Sequence, residues 1–259
     1  MSASIWALPS PDVAAAIARN PLAVIPFGSV EQHGSHLPCG TDSLIAERLG
    51  EAVAERLDAL YVPFGPYGVT PIHAGRPGTV TLTPTTFEAL LEEVCAELVR
   101  MGVRTIVFVN WHELNSPSLD RVATSVQAAG GVVCVVAHAC YTAQRIYADE
   151  GGELTHGGGI ETLGVLAFAP ELVRRDRATE VSRPPRAADL DRMRRGREVY
   201  GFVTDVGEFG GEGWYGDPTW ASDEKAGDFA ARVSAEVAAQ VEQVLALRRG
   251  LNATTKEEA

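Results

Sequence analysis

Residues 22–42 read LAVIPFGSVEQHGSHLPCGTD, and this stretch decides the fold. Its first six residues are apolar, as in a buried strand, and a polar loop follows them. The loop holds three potential metal ligands, Glu31, His33 and Asp42. In open α/β sheets, ligands bind beyond the carboxyl ends of the strands. The order of strand and loop therefore predicts an α/β protein with a metal site at one rim of a sheet.

The spacing inside this loop favours a shared site. Glu31 and His33 lie two residues apart, so in an extended chain both side chains leave on the same side. Gly34 and Gly40 permit a turn that returns Asp42 to them. Carboxylates with an imidazole suit Zn²⁺, Mn²⁺ or Fe²⁺ better than Ca²⁺ or Mg²⁺, which prefer oxygen alone. The structural alternative is a polar loop that caps the next helix.

Polar loops of the same kind recur at two later positions. Residues 105–109 have the pattern of a buried strand and run into a loop with His112 and Glu113. A further loop with His156 and Glu161 precedes a short helix, and a flexible linker is the alternative interpretation there. A parallel sheet delivers such loops to one rim. The predicted ligands are Glu31, His33, Asp42 and His112, with Glu161 or Glu113 as a fifth.

The periodicity of apolar residues predicts the other elements. Predicted helices lie at 11–19, 43–57, 84–101, 117–128, 163–168 and 223–249, and predicted strands at 22–27, 59–64, 79–82, 105–109 and 132–137. Alternation of strands and helices indicates a mostly parallel sheet in one domain, residues 1–259, with 250–259 as a frayed tail. The Arg-rich stretch 174–197 is interpreted as a solvated connection or a subunit contact.

The composition excludes several classes of protein. A formal charge of −12 and a pI near 5.0 argue against partners such as nucleic acid or an anionic membrane, which are bound through clustered Lys and Arg. No apolar stretch reaches the roughly 18 residues of a membrane span. The first twenty residues lack the pattern of a secretory signal. We therefore expect a cytoplasmic protein.

The predicted ligand set has a chemical consequence. Five ligands exceed the three that hold a typical mononuclear hydrolytic zinc. Two metal ions bridged by an aspartate fit better, with a hydroxide between them as the nucleophile. Such a centre suits hydrolysis of an amide-type carbonyl. The departing nitrogen needs a proton, and His156 is the candidate general acid and base.

The sequence resembles the creatininase family of metal-dependent amidohydrolases. The family motifs ExHGxHLPxxTD, HxGxPGT, Asn-x-His-x-x-Asn, HxGxxET and, closely, GDPTxAxxEKG correspond to Glu31–Asp42, His73–Thr79, Asn110–Asn115, His156–Thr162 and Gly216–Gly227. The resemblance implies a three-layer α/β/α fold around a mostly parallel sheet. It also implies two divalent ions, Zn and/or Mn with Fe as a further option, and a homo-oligomer, with a hexamer favoured.

The resemblance also assigns roles to residues. It implies metal binding by Glu31, His33, Asp42, His112 and Glu161, and catalytic roles for His156 and Glu161. Family members open the lactam of creatinine, cleave a formamide in a flavin or deazaflavin precursor pathway, or trim a peptide in mycofactocin maturation. The metal motif therefore does not set the substrate.

One departure from the family pattern concerns the second loop. Creatininase proper carries a Tyr-Glu pair after the His of this loop, whereas Glu113 and Leu114 stand here. Leu114 cannot coordinate a metal, so either Glu113 reaches the ions or Glu161 replaces the missing ligand, and we favour Glu161. True creatinine hydrolysis is less expected for this reason. We expect Trp111 and the loop with Trp214 and Tyr215 to form aromatic walls for a flat or cyclic amide.

The function expected from the sequence is hydrolysis of a small amide C–N bond. The favoured small-molecule substrate is a cyclic amide, a lactam or a ureide, bound by Trp111, Glu113, His73 and Trp214. A formamide hydrolase and a mycofactocin-type peptidase are alternatives on the same site. A non-catalytic metal-binding protein of the same fold is the alternative from another class.

Overall fold

Five parallel strands form the centre of the computed structural model, which describes residues 3–196 and 198–257. The strands are β1 (Ala3–Ser4), β2 (Leu22–Phe27), β3 (Leu60–Tyr61), β4 (Thr105–Asn110) and β5 (Val133–His138), in the spatial order β1-β3-β2-β4-β5. In the register of the two central strands, Phe27 lies beside Asn110. The loops after β2 and β4 therefore leave the sheet at the same rim, which is the geometry that the sequence predicts.

Helices cover both faces of this sheet. The described α-helices are α1 (Ser10–Arg19), α2 (Thr41–Arg56), α3 (Pro84–Arg100), α4 (Ser116–Ala128), α5 (Ala139–Tyr147), α6 (Gly159–Phe168), α7 (Pro185–Gly196) and α8 (Asp223–Glu257), of which α7 belongs to neither core. One core lies between the sheet and α2, α5, α6 and α8, and the other between the sheet and α1, α3 and α4. The predicted three-layer α/β/α fold is confirmed.

The side chains of the central strands alternate between the two cores. Val107 and Val109 belong to the first core, whereas Ile106 and Phe108 belong to the second. Because successive side chains of a strand point to opposite faces, a strand covered by helices on both sides needs apolar residues throughout. This requirement explains the unbroken apolar runs that revealed β2 and β4 in the sequence.

Several boundaries differ from the sequence-based predictions. Residues 79–82 do not form a strand; Val80 makes only an isolated antiparallel bridge to Val30. The helices α5 and α7 were not predicted. Helix α8 continues to Glu257, past the expected end at Arg249, and residues 258 and 259 of the predicted tail lie outside the described residues.

None of the helices in the described segments combines the length and the hydrophobicity that a membrane span requires.

Candidate metal centre

The first polar loop is held tightly between β2 and α2. Gly28 follows β2, and a Cβ at this position would lie 2.5 Å from the carbonyl carbon of Asp42. The backbone N–H of Glu31 donates to the carbonyl of Cys39 at 2.8 Å, which closes the loop on itself. Asp42 lies in the first turn of α2, where the positive end of the helix dipole favours a carboxylate. Close packing at a glycine therefore fixes the position of this predicted ligand.

A first group of potential ligands consists of Glu31, Asp42 and His112. Oδ2 of Asp42 lies 2.8 Å from Nδ1 of His112, and Oε2 of Glu31 lies 3.5 Å from Nε2 of the same ring. All three residues are buried, and their ligand atoms lie within 4.8 Å of one another. Ser29 donates its hydroxyl to Oδ2 of Asp42 at 2.8 Å and so orients this carboxylate. The loops after β2 and β4 thus meet at one point.

A second group shares Asp42 with the first. Oδ1 of Asp42 lies 3.2 Å from Nε2 of His33, and Oε2 of Glu161 lies 3.5 Å from the same nitrogen. Glu161 stands in the first turn of α6, and its Oε2 accepts a hydrogen bond from the N–H of Gly157 at 2.6 Å. The third polar loop of the sequence therefore reaches the same cluster.

His156 completes a third group with Glu31 and His33. Its Nε2 lies 2.6 Å from the carbonyl oxygen of Gln32, and a carbonyl only accepts, so Nε2 carries the proton. The lone pair of Nδ1 then faces Oε1 of Glu31, at 3.4 Å. His73 packs edge-on against the His156 ring, with 4.3 Å between the centroids.

Three atoms of the cluster are buried without a hydrogen bond in the described structure. They are Oε2 of Glu31, and Nε2 of His33 with Oδ1 of Asp42, which lie 3.2 Å apart as an ion pair without the geometry of a hydrogen bond. Orphaned buried carboxylate oxygens and imidazole nitrogens are costly unless something ligates them. These nitrogen and oxygen donors fit Zn²⁺ or Mn²⁺. The residues present therefore suit a divalent metal centre.

The charges of the cluster shift several pKa values. Burial disfavours a charged His33 ring, but the carboxylates of Asp42 and Glu161 outweigh this and raise its pKa to about 10. Burial raises the pKa of Glu161 to about 8. Burial lowers the pKa of His156 well below its usual 6.5. A proton on the His33 imidazole thus offsets part of the negative charge of the carboxylates. A bound cation would supply this positive charge instead and displace the proton.

A cavity of about 110 Å³ opens onto the cluster. Glu31, Asp42, His112, His156 and Glu161 line it, as do the predicted substrate contacts His73, Trp111 and Glu113. Trp214 does not line this cavity, against our expectation, whereas Tyr215 does. Trp214 is buried against Gly34, where a Cβ would lie only 2.9 Å from the indole, and its ring lies 4.8 Å from that of His36.

Glu113 turns away from the cluster. Its Oε2 accepts from Nη2 of Arg194 at 2.7 Å, and its Oε1 lies 3.4 Å from Nε of Arg195. None of the potential ligand groups found among the described residues includes Glu113, whereas one includes Glu161. Of the two glutamates left open by the sequence, the geometry therefore brings Glu161 to the cluster.

Arg194 and Arg195 also line the cavity, although no pattern in the sequence predicted this. The stretch 174–197 was interpreted as a solvated connection or a subunit contact, but residues 185–196 form α7 and its last turn lines the cavity. Asp191 is four residues before Arg195 and bonded to Arg194. This i,i+3 and i,i+4 spacing is a signal for a helix, although it does not reveal what the helix covers.

The fold and the cluster together define an α/β protein with a cluster of potential metal ligands at the rim of a parallel sheet. The family model for creatininase, described as creatinine amidohydrolase, matches residues 7–241. The chain therefore belongs to the creatininase family and is a hydrolase acting on carbon–nitrogen bonds, so the resemblance noted in the sequence is confirmed.

Individual relatives agree with this membership. The chain is 33% identical over 212 residues to the mycofactocin precursor peptide peptidase of Mycolicibacterium smegmatis, covering 78% of this chain and 76% of that protein. It is 31% identical over 181 residues to the creatinine amidohydrolase of Pseudomonas putida, covering 62% of this chain and 69% of that protein. A solved structure titled "Creatininase Mn" superimposes with a TM-score of 0.75 at 25% identity, over 94% of this chain and 98% of that one.

Proposed function

We propose that this chain hydrolyses a small amide C–N bond with two divalent cations held by Glu31, His33, Asp42, His112 and Glu161. The observation that carries the proposal is the way in which Asp42 is shared. Its Oδ1 faces His33 and its Oδ2 faces His112, at 3.2 Å and 2.8 Å. A carboxylate with one oxygen toward each of two ligand groups supports a bridging role between two ions.

Zn²⁺ and Mn²⁺ are the cations that we propose. The mixture of imidazole and carboxylate donors favours them over Ca²⁺ or Mg²⁺, and the similar solved creatininase is titled as an Mn form. When bound, such cations polarise an amide carbonyl and lower the pKa of water from about 15.7 to about 7.

His156 is the residue that we propose moves the proton. Because Nε2 is held by the carbonyl of Gln32, the free lone pair of Nδ1 faces Glu31 and the cavity. Burial keeps the ring neutral at pH 7, since it lowers the pKa. A neutral Nδ1 can accept a proton from the attacking water and deliver it to the departing nitrogen. The backbone contact holds the ring in the tautomer that this transfer needs.

The shape of the cavity favours a small cyclic amide, a lactam or a ureide. The space of about 110 Å³ is small, and the rings of Trp111 and Tyr215 contribute flat walls. His73 and Glu113 lie at the same cavity and complete the substrate contacts that we propose. Cleavage of a peptide bond is the second candidate, because the Mycolicibacterium smegmatis relative at 33% identity is a peptide peptidase.

A substrate screen with metal depletion tests the proposal. Protein loaded with Zn²⁺ or Mn²⁺ is assayed by mass spectrometry against creatinine, hydantoin, 2-pyrrolidinone, simple formamides and short peptides. We expect hydrolysis of at least one cyclic amide, its loss after treatment with a chelator, and its return when the metal is added back. Hydrolysis that the chelator leaves intact would contradict the proposed role of the metal.

The same screen separates the alternatives. Turnover of peptides or formamides alone would favour those substrates over cyclic amides. Stoichiometric metal binding with no hydrolysis would favour a non-catalytic metal-binding protein. Assembly into a homo-oligomer, with a hexamer favoured, stays a prediction that sedimentation can check.

A further inference from the structure

Two arginines at the end of α7 form part of the cavity wall. Arg194 and Arg195 line the same space as Glu31 and Asp42. Their side chains are only 21% and 25% exposed. Removing a guanidinium from water costs free energy unless its five N–H groups find acceptors. The hydrogen-bond partners of each arginine therefore indicate what it does.

Arg194 is bonded to carboxylates of the protein itself. Its Nη2 donates to Oε2 of Glu113 and to Oδ1 of Asp191, each at 2.7 Å. Asp191 also accepts from Arg183 at 2.8 Å, and Arg183 pairs outward with Glu153, whose side chain is 66% exposed. This network ties α7 to the loop after β4. Arg194 is thus a support of the cavity wall.

Arg195 is held in place without such bonds. Its Nε lies 3.4 Å from Oε1 of Glu113 and 3.3 Å from Oδ2 of Asp191, but it is buried without a hydrogen bond. Its two terminal nitrogens have no hydrogen-bond partner in the part of the chain that the structure describes. The neighbouring carboxylates therefore fix this guanidinium while leaving its terminal donors free.

We infer that Arg195 binds a carboxylate of the substrate, so that the substrate is an amide that also bears a carboxylate. This inference rests on the proposed function, because it names the substrate class of the same cavity. The guanidinium presents a planar fork of donors that matches the two oxygens of a carboxylate.

The surroundings of Arg195 strengthen such a contact. Ile72, Val203 and Phe209 line the same cavity and make part of its wall apolar. In such surroundings a charge-assisted hydrogen bond is stronger than in water. A neutral substrate would make no such contact with the terminal donors of Arg195.

Matched substrate pairs test this inference on the metal-loaded enzyme. Dihydroorotate differs from dihydrouracil by one carboxylate, and pyroglutamate differs from 2-pyrrolidinone in the same way. Turnover and equilibrium binding by calorimetry are measured for both pairs. We expect the carboxylated member to have a kcat/KM, or an affinity where turnover is absent, about 10-fold or more above its partner, as a hydrogen-bonded charge pair provides.

Variants of α7 show whether Arg195 is the origin of the preference. In Arg195→Gln the ratio between the two members should fall to about one, whereas Arg195→Lys, which keeps the charge but not the fork, should retain part of it. Arg192→Gln is the matched control: Arg192 lies on the same helix, its side chain is 75% exposed, and it pairs with Asp189. This control should keep the full ratio. Melting temperatures of all variants check that α7 remains folded.

Failure of the inference is distinguishable from failure of the proposed function. Equal kcat/KM or affinity for the two members of a substrate pair, or a preference that persists in Arg195→Gln, overturns the role of Arg195. Hydrolysis that a chelator abolishes would still support the proposed metal-dependent amidohydrolase. A preference retained in Arg195→Gln would assign carboxylate binding to the cations instead. Hydrolysis that is insensitive to chelator would overturn the proposed metal chemistry whatever Arg195 does.

Discussion

Nδ1 of His112 lies 2.8 Å from Oδ2 of Asp42, although 70 residues separate the two in the chain. The contact exists because β2 and β4 are neighbours in the parallel sheet and end at the same rim. The other oxygen of Asp42 faces His33. Asp42 therefore joins two groups of potential ligands, and it is the side chain on which the proposed pair of cations depends most.

The substitution Asp42→Asn should remove the metal. An amide in place of the carboxylate keeps the shape of the side chain but loses the negative charge that two cations share. We expect the affinity for Zn²⁺ or Mn²⁺ to fall more than about 100-fold, measured as metal content by mass spectrometry after dialysis against a metal buffer. Asp58→Asn is the control, since Asp58 is exposed and pairs with Arg19, and it should keep its full metal content.

Replacing His156 by Ala should separate chemistry from metal binding. If the ring transfers the proton, kcat falls by about 100-fold or more, within the range typical of general acid–base catalysis. The metal content should stay close to that of the unmodified protein. Full activity in His156→Ala would remove the proton-transfer role. A loss of bound metal would instead make His156 a ligand alongside Glu31 and His33.

Gly28→Ala should displace the first polar loop. The added methyl would overlap the backbone of Asp42 and Ser43, so either β2 or α2 must move. We expect the free energy of unfolding to fall by about 1–3 kcal/mol, as for overpacked cores, together with a loss of metal. Denaturant titration measures the first effect. Gly40→Ala, in the same loop with no heavy atom within 4 Å of its Cβ, should leave both stability and metal content nearly unchanged.

His36 should make the folded protein sensitive to acid. The ring is buried and donates from Nε2 to the carbonyl of Gly157 at 2.9 Å, and burial lowers its pKa to about 4 from 6.5. The unfolded chain thus takes up the proton first as the pH falls. The contribution of the neutral His36 ring to the free energy of unfolding is therefore complete above pH 6.5 and is lost as the pH falls toward 4.

The variant His36→Gln isolates this effect, because its amide can still donate to Gly157. The difference in unfolding free energy between the unmodified protein and the variant should be constant above pH 6.5. As the pH falls to 4, the unmodified protein should lose up to about 3 kcal/mol of unfolding free energy relative to the variant. Denaturant titrations at several pH values measure it, and a difference that does not change with pH would contradict the assignment.

The parts of the fold that the sequence predicts are those with a local signature. The unbroken apolar runs of β2 and β4 identify central strands, and the polar residues after them identify the rim. Glu31, His33 and Asp42 were recognisable because they stand in one loop beyond such a strand. Their meeting with His112 follows from the parallel arrangement alone.

The parts that the sequence did not reveal depend on distant contacts. Trp214 is buried against Gly34 and His36, which precede it in the chain by 180 and 178 residues. The sequence around Trp214 therefore does not indicate that it lies outside the cavity. The end of α7 is rich in arginine and resembles a solvated surface helix. Its place at the cavity rests on the ion pair between Arg194 and Glu113, which local periodicity cannot show.

The proposed hydrolysis depends above all on two cations that share Asp42. A crystal structure of the Zn²⁺- or Mn²⁺-loaded protein, with anomalous diffraction data collected at the absorption edge of the metal, measures this directly. We predict two anomalous peaks, one among Glu31, Asp42 and His112 and the other among His33, Asp42 and Glu161. Metal bound elsewhere, or none at these side chains in crystals of protein that hydrolyses an amide, would contradict the account.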